Sequence, residues 1–594
     1  MSADHDAQIT VLDEYPRPQL VRDSHLNLNG HWDYAITPLE AEEPAAYDGE
    51  ILVPYSPETA LSGVRRTVSA REALWYRRTV VLPEHFVKDR VLLHFGAVDQ
   101  SCEVLLNGVK VGGHVGGYLP FVLDVTEALV PGENTLVVKV RDVTDAADHA
   151  RGKQRGEHGG IWYTPQSGIW QTVWAESVPA EHVRDMVIVP HLDEACVEVT
   201  VRAQAERGRT ARVDVLRDGA VIATAETAPG VPVRLPITDV RTWTPEDPYL
   251  YDLEVRLGDD LVRGYFGMRS FGVGPDASGL PRLLLNGRPY FHAGVLDQGY
   301  WDGGMYTPPS DEAMVRDIQT MKDLGFTMLR KHAKIEPLRW YHHCDRLGIL
   351  VWQDIVNGGG PYRPAVVTLP AVLPIVRLRD VGPRAHRRLG RADADGRAEF
   401  ESELRATVEH LRNVVALAVW VPFNEGWGQF DAARIAAELT ELDTTRTIDH
   451  ASGWHDQGAG DIRSLHVYFR RFRVPGRRRD RRVLALTEYG GYSLPVEGHR
   501  SSERLFGYRR YRTSDDLARA FVRLHEQQII PAIPHGLSAT VYTQLSDVQD
   551  EMNGLLTQDR EVVKLPAQDV RAVTSRLRYD TAPRAAADRV IRRP

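Results

Sequence analysis

The sequence is poor in cysteine and has no long apolar run. Its three cysteines, Cys102, Cys196 and Cys344, are widely separated in 594 residues, which fits neither a disulfide framework nor the spacing of a cysteine metal site. No stretch is long and apolar enough to cross a bilayer, and the start has no basic segment followed by an apolar one. We therefore expect a cytoplasmic protein with no signal peptide and no membrane partner.

Several motifs of common enzyme classes are also missing. There is no H-E-x-x-H motif of zinc proteases and no G-x-S-x-G motif of α/β-hydrolases. There is also no G-x-x-x-x-G-K-[ST] loop and no G-x-G-x-x-G turn opening a helix, so no nucleotide site is predicted. We expect no cofactor and no metal. The net charge of -9 at pH 7 argues against a nucleic-acid partner for the whole molecule.

The amounts that are present indicate a large globular protein. Hydrophobic residues make up 43% and charged residues 26% of the chain, which is ordinary for well-packed domains. A chain of this length exceeds what one core supports. Residues 1–180 carry short strand patterns, such as 90–95 and 134–140, separated by turn signals such as Asn107-Gly108. They predict an N-terminal jelly-roll β-sandwich.

Two further units follow. Residues 181–275 show alternating apolar and polar residues, clearest over 197–202, and a length of about 100 residues that suits an immunoglobulin-like β-sandwich. In residues 276–594, apolar runs alternate with helical patterns, which predicts a C-terminal (β/α)8 barrel of the TIM type. The predicted fold class is thus multidomain, β plus α/β.

The barrel region contains eight apolar strand candidates, of which the fifth and sixth are short. They end near Gly294, Arg330, Gln353, Asn424, His450, His466, Glu488 and Gln544. Ser310, followed by two acidic residues, marks a helix start between the first two strands. Residues 360–395 lack periodicity and are predicted to form a long loop.

Two glutamates each close an apolar run just before glycine. Glu425 lies in V-P-F-N-E-G-W and Glu488 in L-A-L-T-E-Y-G-G, so both are expected at the C-terminal mouth of the barrel, where barrel enzymes hold their chemistry. One such glutamate is often only a salt-bridge partner. Two on the fourth and seventh strands can divide acid/base and nucleophilic work, and Asn424 can bond the neighbouring sugar hydroxyl.

The other predicted strand ends carry polar and aromatic side chains suited to a sugar. Hydroxyl groups need planar polar partners, and sugar faces need an aromatic ring. Each of these residues alone is compatible with a structural role, but together they predict a substrate-binding rim. Its members are Asp297, His332, Asp354, Asn424, Trp454, His466 and Gln544. Tyr468, two residues beyond His466, is expected to hydrogen-bond Glu488 and help keep it ionised.

A basic run follows Tyr468 directly. Residues 470–482 hold eight arginines and one aspartate. A solvated loop is the preferred interpretation. The alternative is an anion-attracting rim that favours a uronate or sulfated sugar.

The order of these parts resembles glycoside hydrolase family 2, which joins a jelly-roll sugar-binding domain, an immunoglobulin-like domain and a catalytic barrel. The resemblance covers nearly the whole chain and rests on short matches in each part, at residues 29–32, 76–78, 167–174, 243–251, 266–269 and 329–332. Asn424-Glu425 matches the acid/base motif and residues 487–491 match the nucleophile motif. The resemblance implies that Glu425 is the acid/base and Glu488 the nucleophile.

Two departures from the family pattern bear on the substrate. Residues 353–360 replace the acidic and histidine ligands of the magnesium site in the family's β-galactosidases, so no metal is implied. Residues 551–556 read E-M-N-G-L-L, without the lysine of the Asn-x-Lys element by which the family's β-glucuronidases hold a carboxylate. This counts against a standard glucuronidase.

The sequence therefore predicts a retaining exo-β-glycosidase, most similar to a β-galactosidase, that acts on a carbohydrate or glycoside. Alternatives are a hydrolase of an anionic or furanose sugar, such as a β-uronidase, a β-galactofuranosidase or an arabinosidase-like enzyme. A non-catalytic carbohydrate-binding protein is the alternative of another class. The sequence leaves homo-oligomerisation open.

Overall fold

The structure, a computed structural model, describes residues 11–373, 377–476 and 480–579. Within these ranges, none of the helices combines the length and the apolar character that a bilayer span requires. The three cysteines are buried and unpaired.

The N-terminal part is a β-sandwich with an apolar core between its sheets. Buried residues such as Trp32, Tyr76, Phe95 and Val138 fill this core. One sheet has, in spatial order, Gly49–Val53, Gly30–Pro38, Glu72–Val81, Glu133–Arg141, Ser101–Leu106 and Val109–Val115. The other has Leu26–Asn27, Val173–Val178, Arg90–Phe95 and Phe121–Asp124, and a short ribbon pairs Val98–Asp99 with Gly168–Ile169. The predicted β-sandwich is confirmed.

A second, smaller sandwich follows directly. Its sheets are His182–His191, Cys196–Gln204 and Val233–Pro236, packed on Ala220–Thr227, Ala211–Arg217, Tyr251–Leu257 and Asp260–Phe266. Val197, Val199 and Val201 are buried while Glu198 and Thr200 are only half-buried, because alternate residues of a strand face opposite sides of the sheet. The predicted alternation is therefore present. A three-stranded sheet, Phe271–Pro275, Pro281–Leu285 and Arg288–Pro289, leads into the barrel.

Eight parallel strands form the predicted barrel. They are β1 His292–Asp297, β2 Met328–Lys331, β3 Leu350–Asp354, β4 Leu417–Val421, β5 Thr447–Ile448, β6 Ile462–Val467, β7 Val483–Gly490 and β8 Leu537–Thr543. Their spatial order is β5-β4-β3-β2-β1-β8-β7-β6. The gap between β5 and β6 is bridged by Asp461, whose backbone and carboxylate both bond Ile448 at 2.9 Å. β5 is as short as expected, whereas β6 has six residues.

Helices surround the barrel. They are Asp311–Asp323, Leu338–Leu347, Pro364–Val367, Leu369–Val372, Pro383–Arg388, Ala394–Leu411, Ala432–Leu442, Ser514–Leu524 and Ala567–Thr574, with a π-helical turn at His525–Ile529 and a 3-10 turn at Ile530–His535. Two more 3-10 turns, Thr126–Ala128 and Leu192–Glu194, connect strands of the sandwiches. The Ser310 hydroxyl caps the helix Asp311–Asp323, as predicted. The prediction of a single long loop over 360–395 is wrong. Three short helices lie there, each with a proline in its first turn.

A segment of the first sandwich lies across the mouth of the barrel. The amides of Arg151 and Gly152 donate to the carbonyl of Asn357, at 2.9 and 3.0 Å, in the loop after β3. Gly152 has φ +57°, and a Cβ there would lie 2.5 Å from the carbonyl oxygen of Ala333. Only glycine allows this close approach, so the segment is held tightly on the barrel.

Candidate active site

The two glutamates singled out in the sequence meet at the mouth of the barrel. Glu425 follows β4 and has a left-handed φ of 49°, and its amide donates to the carbonyl of Ser452 at 2.9 Å. Glu488 lies within β7, beside His466 of β6 in the strand register. One oxygen of each carboxylate and a ring nitrogen of His466 all lie within 4.8 Å of one another.

Glu488 is surrounded by groups that hold its orientation. The Tyr468 hydroxyl donates to Oε2, as the sequence predicted, and Nη1 of Arg330 approaches Oε1 at 3.4 Å. Burial raises the pKa of Glu488, and the charge of Glu425 adds to the rise, while His466, Arg330 and Tyr468 oppose it. A carboxylate that accepts from a phenol and faces a guanidinium is favoured in its ionised form.

Burial acts on Glu425 as well. Burial raises its pKa to about 7, since the opposing charges of Lys153 and Arg330 do not outweigh desolvation. Its Oε1 lies 2.8 Å from Nδ1 of His466. A carboxyl group with such a pKa holds its proton in a large fraction of molecules at neutral pH.

A directional chain of hydrogen bonds ends on Glu425. The Thr487 hydroxyl donates to the carbonyl of Leu465 at 3.3 Å, so it accepts from the Ser452 hydroxyl at 3.0 Å. Because Ser452 has then used its only proton, it accepts from Nε2–H of His466 at 3.1 Å. Burial lowers the pKa of His466 to about 4, so its neutral ring has no proton on Nδ1. The chain therefore favours a protonated Glu425 that donates to Nδ1.

Arg330 links the elements of the site and was not among the predicted site residues. Its fully buried guanidinium forms two 3.0 Å bonds with Asp354 and a 2.8 Å bond with Oδ1 of Asn424. It also donates to the carbonyl of Thr487 at 3.1 Å. A planar fork of this kind fixes several partners at once. The strand motif around residue 330 was the signal, but it did not reveal which way the side chain faces.

His332 and Asp354 lie together beside Arg330. Nδ1 of His332 is 2.5 Å from Oδ2 of Asp354. Burial lowers the pKa of His332 to about 3, so the neutral ring donates its Nδ1–H to the carboxylate. Its Nε2 is then an acceptor that no described residue uses. The Trp427 ring lies 5.6 Å from the ring of His332, which gives the pocket an aromatic wall.

Buried amide groups without partners are available to a ligand. Within the described ranges, Nδ2 of Asn424, Oε1 of Gln544 and both side-chain polar atoms of Gln298 have no hydrogen-bond partner. Buried amides in folded proteins are normally paired. Asn424 and Gln544 were predicted contacts. Gln298 was not, and its place directly after β1 was the only signal for it.

Two predicted residues are already used by the protein. Asp297 bonds Nζ of Lys331 at 2.6 Å and the amide of Gly299 at 2.9 Å, so both its oxygens are engaged in a buried ion-pair cluster. Trp454 donates to the carbonyl of Val367 at 3.1 Å, and its ring lies edge-on to His466 at 5.3 Å. Trp454 thus flanks the site, whereas no described contact joins Asp297 to either catalytic candidate.

The first sandwich supplies a further wall that sequence reasoning missed. Nζ of Lys153 lies 5.4 Å from the ring of Tyr163 and 5.5 Å from that of Trp427. The Trp162 ring packs 5.1 Å from Trp427, and the Tyr163 hydroxyl donates to Glu551 at 2.5 Å. A lysine and two aromatic residues in a glycine-rich stretch were a weak signal for a site so far along the chain.

The arginine run after Tyr468 makes its described contacts elsewhere. Arg471 donates to the carbonyl of Gln527 at 3.3 Å, and Arg482 bonds Asp456 at 2.8 Å. Residues 477–479, the middle of the run, lie outside the described residues. Neither contact involves the catalytic pair, and the solvated loop stays a prediction.

Among the described side chains, one cluster brings three potential metal ligands together, and it is Glu425, His466 and Glu488. Glu488 already faces the guanidinium of Arg330, and both ring nitrogens of His466 are engaged. The positive charge of Arg330 beside Glu488 repels a metal cation, and the hydrogen bonds of His466 leave neither ring nitrogen free to bind one. Both features disfavour a resident divalent ion.

Family comparisons agree with the architecture. The family model for "Glycosyl hydrolases family 2, sugar binding domain" matches residues 26–173, and the model for "Glycosyl hydrolases family 2" matches residues 181–269. Both models describe glycoside hydrolase family 2, and together they cover the two sandwich domains of the chain. The resemblance drawn from the sequence is thus confirmed.

Curated proteins of two names are similar in sequence. A β-galactosidase of Thermoanaerobacter pseudethanolicus is 24% identical over 356 residues, which are 56% of this chain and 46% of that protein. A putative β-glucuronidase of Formosa agariphila is 26% identical over 300 residues, 48% of this chain and 35% of that protein. The matches thus span less than half the length of these relatives.

Solved structures of two glycosidases share the fold over almost the whole chain. A β-D-glucuronidase of Dictyoglomus thermophilum superposes with a TM-score of 0.72 at 18% identity, covering 96% of this chain and 99% of that one. A β-galacturonidase of Eisenbergiella tayi bound to galacturonate gives 0.69 at 18% identity, covering 95% and 99%. At these identities the comparison shows the fold alone.

Proposed function

We propose that the chain is a retaining exo-β-glycosidase that removes terminal non-reducing sugar residues. The observation that carries the proposal is the short distance between two carboxylates with different hydrogen-bond partners, His466 for Glu425 and Tyr468 for Glu488. Their nearest oxygens lie within 4.8 Å, which suits the spacing of about 5–5.5 Å in retaining enzymes rather than the about 6.5–9.5 Å in inverting ones.

The roles follow from the two environments. Glu425, protonated through its bond to His466, gives its proton to the glycosidic oxygen as the leaving group departs. Glu488, ionised and held by Tyr468, attacks the anomeric carbon and forms a glycosyl ester. Glu425, now ionised, takes a proton from water, which attacks the same carbon and releases Glu488. The unpartnered amide of Asn424 is placed to bond the hydroxyl next to the reacting carbon.

The substrate has two supported candidates. The lack of a lysine in residues 551–556 favours a neutral β-galactoside-like sugar. One relative bears the name β-galactosidase. A β-uronide is favoured by the cation of Lys153 near Glu425, and the structural neighbours include proteins named glucuronidase and galacturonidase. The furanose and arabinoside alternatives, and a binding protein without activity, have no particular observation in their favour.

A panel of nitrophenyl glycosides tests the function. It should contain the β-galactoside, β-glucuronide, β-galacturonide, β-galactofuranoside and α-arabinofuranoside. We expect hydrolysis of a β-hexoside or β-uronide, with the β-anomer formed first when the reaction is followed by proton NMR. A first-formed α-anomer would show inversion, and a folded protein that cleaves nothing on the panel would favour the binding role.

The activity should depend on pH in a bell shape. Glu425 must be protonated to act as acid, so kcat/KM should fall by about tenfold per pH unit above its pKa of about 7. Glu488 must be ionised, so the acid limb should lie above the ordinary glutamate pKa, because burial raises its pKa. The measurement is kcat/KM on an alkyl glycoside from pH 4 to 9. An activity that stays constant from pH 6 to 9 would contradict the assignment of Glu425.

Chelation should have little effect. The Glu488 carboxylate, a potential metal ligand, already faces the Arg330 guanidinium. We therefore expect no bound metal that EDTA could remove, and turnover should stay within about twofold after dialysis against EDTA. The control is the same protein with added magnesium. Loss of activity in EDTA that magnesium restores would reveal a metal site that this cluster does not explain.

A further inference from the structure

Lys153 is a buried cation that forms no ion pair with any described residue. Its side chain belongs to a residue only 5% exposed, and its ammonium has two aromatic ring faces as described neighbours, Tyr163 and Trp427. Within the described part of the chain, it makes no hydrogen bond or salt bridge through Nζ. A buried ammonium in this state lacks the compensation that burial of charge requires.

The other buried lysines of the molecule show what is missing. Lys331 bonds two carboxylates, at 2.6 and 2.7 Å. Lys334 pairs with a carboxylate at 2.9 Å and two carbonyls at 2.7 Å, and Lys564 pairs with Asp547 at 2.5 Å. Lys153 alone among these four has rings instead of oxygen acceptors, so its acceptor is expected to come from a ligand.

The position of this ammonium is fixed at the catalytic pair. Its charge lowers the pKa of Glu425 and of His332, and Trp427, which it contacts, lies two residues after Glu425. The preceding Gly152 is held against the barrel. Its amide donates to the carbonyl of Asn357 at 3.0 Å, and a Cβ on it would lie 2.5 Å from the carbonyl oxygen of Ala333. The sandwich thus holds one positive charge against the pocket.

The carboxylates near the pocket already have other partners. Arg330 faces Asp354 and Glu488, and Glu551 accepts from Tyr163 and from Asn553. A neutral sugar would leave Lys153 without an anion in direct contact among the described residues, since a hydroxyl group accepts but carries no charge. A monoanionic carboxylate on the sugar would neutralise it directly.

We propose that Lys153 is a specificity-determining residue whose ammonium binds the carboxylate of a terminal β-linked uronic acid. The inference rests on the proposed function, since it names the substrate class of that same site. It also makes the first sandwich part of the active site, because the barrel without residues 151–163 would lack this cation.

Matched variants test the contact. Lys153→Met keeps the length of the stem and its packing on Trp427 but removes the charge. We expect it to lower kcat/KM on the β-glucuronide or β-galacturonide by about 10²-fold, mainly through KM, and to change the matched β-galactoside less than about threefold. Lys153→Arg should retain part of the uronide activity. Lys139→Met is the control, since Lys139 also lies on a tryptophan, Trp75, at 4.7 Å in the same sandwich, and it should change neither.

The position of the segment can be tested separately. Gly152→Ala places a Cβ against the Ala333 carbonyl and should reduce uronide activity as the segment shifts. Gly258→Ala is its matched control, because Gly258 has nearly the same φ, +55°, with nothing within 4 Å of its Cβ position. Equal kinetics of the two alanine variants would show that the segment does not need this close approach.

The outcomes separate this inference from the proposed function. Equal losses on uronide and galactoside in Lys153→Met overturn the inference, and so does a shift of the alkaline pH limb on both substrates without discrimination, which would make Lys153 only an electrostatic neighbour of Glu425. Glycosidase activity stands in either case. Calorimetry of free galacturonate and galactose with the Glu488→Gln protein needs no turnover. Tighter binding of galacturonate that Lys153→Met abolishes supports the contact, and equal binding of both sugars overturns it.

Discussion

Glu488→Gln is expected to lower kcat by on the order of 10⁴-fold or more while the protein stays folded. A neutral amide cannot form the glycosyl ester, and the replacement keeps the shape of a side chain that is only 5% exposed. It also removes the charge that Arg330 and Tyr468 face. The measurement is steady-state hydrolysis of the best substrate of the panel, with thermal unfolding followed in parallel.

A mechanism-based label identifies the same residue independently. A 2-fluoro glycoside with a good leaving group should stop the enzyme and add one sugar to the peptide that contains Glu488, as seen by mass spectrometry. Glu336→Gln is a useful control, because Glu336 is equally buried but pairs with Lys331 and Lys334. It should lose stability rather than chemistry. A label on any other carboxylate would overturn the nucleophile assignment.

The barrel could be predicted because its strands are buried on both sides. Every residue of β3, β4 and β7 is buried, and each strand begins with an apolar run. The polar residue that follows each run could therefore be located from composition alone. The helices of residues 360–395 were missed because they have four to six residues each. Helices this short carry too few turns for a periodic pattern.

The site was only partly predictable, because a strand end does not reveal which partners a side chain finds. Asp297 and Asp354 occupy equivalent places, as the last residues of β1 and β3, the strands on either side of β2. Lys331 and a backbone amide engage both oxygens of Asp297, while Asp354 orients Arg330 and His332 at the catalytic pair. The difference arises from side chains on other strands, so the barrel register must be known before it can be seen.

Lys153 shows a second limit. It lies more than 250 positions before Glu425 in the chain, and no pattern in its own neighbourhood points to the barrel. Its place depends on a backbone contact between Gly152 and the loop after β3. Contacts between two domains depend on the shapes of both surfaces. The hydrophobic periodicity within one domain does not reveal them.

Glu425→Ala should give a defect whose size depends on the leaving group. An alkyl glycoside needs its oxygen protonated as the bond breaks, so its kcat/KM should fall by about 10²–10⁴-fold. A dinitrophenyl glycoside leaves as a stable anion, so formation of the glycosyl-enzyme should fall far less. The alkaline limb near pH 7 should disappear from the remaining activity, because the group that burial raises to a pKa of about 7 is gone.

Azide decides between the acid/base role and a structural one. The truncated side chain leaves space beside the anomeric carbon, where a small anion that needs no general base can attack the glycosyl-enzyme. Added azide should raise turnover of the dinitrophenyl glycoside and yield the β-glycosyl azide. The anomeric carbon is inverted twice, first by Glu488 and then by azide, which gives net retention. Ser452→Ala is the matched partial variant: it breaks the hydrogen-bond chain to His466 but keeps Glu425, so it should shift the alkaline limb and gain nothing from azide. An α-glycosyl azide, or rescue of both variants alike, would mean that Glu425 does not protonate the leaving group.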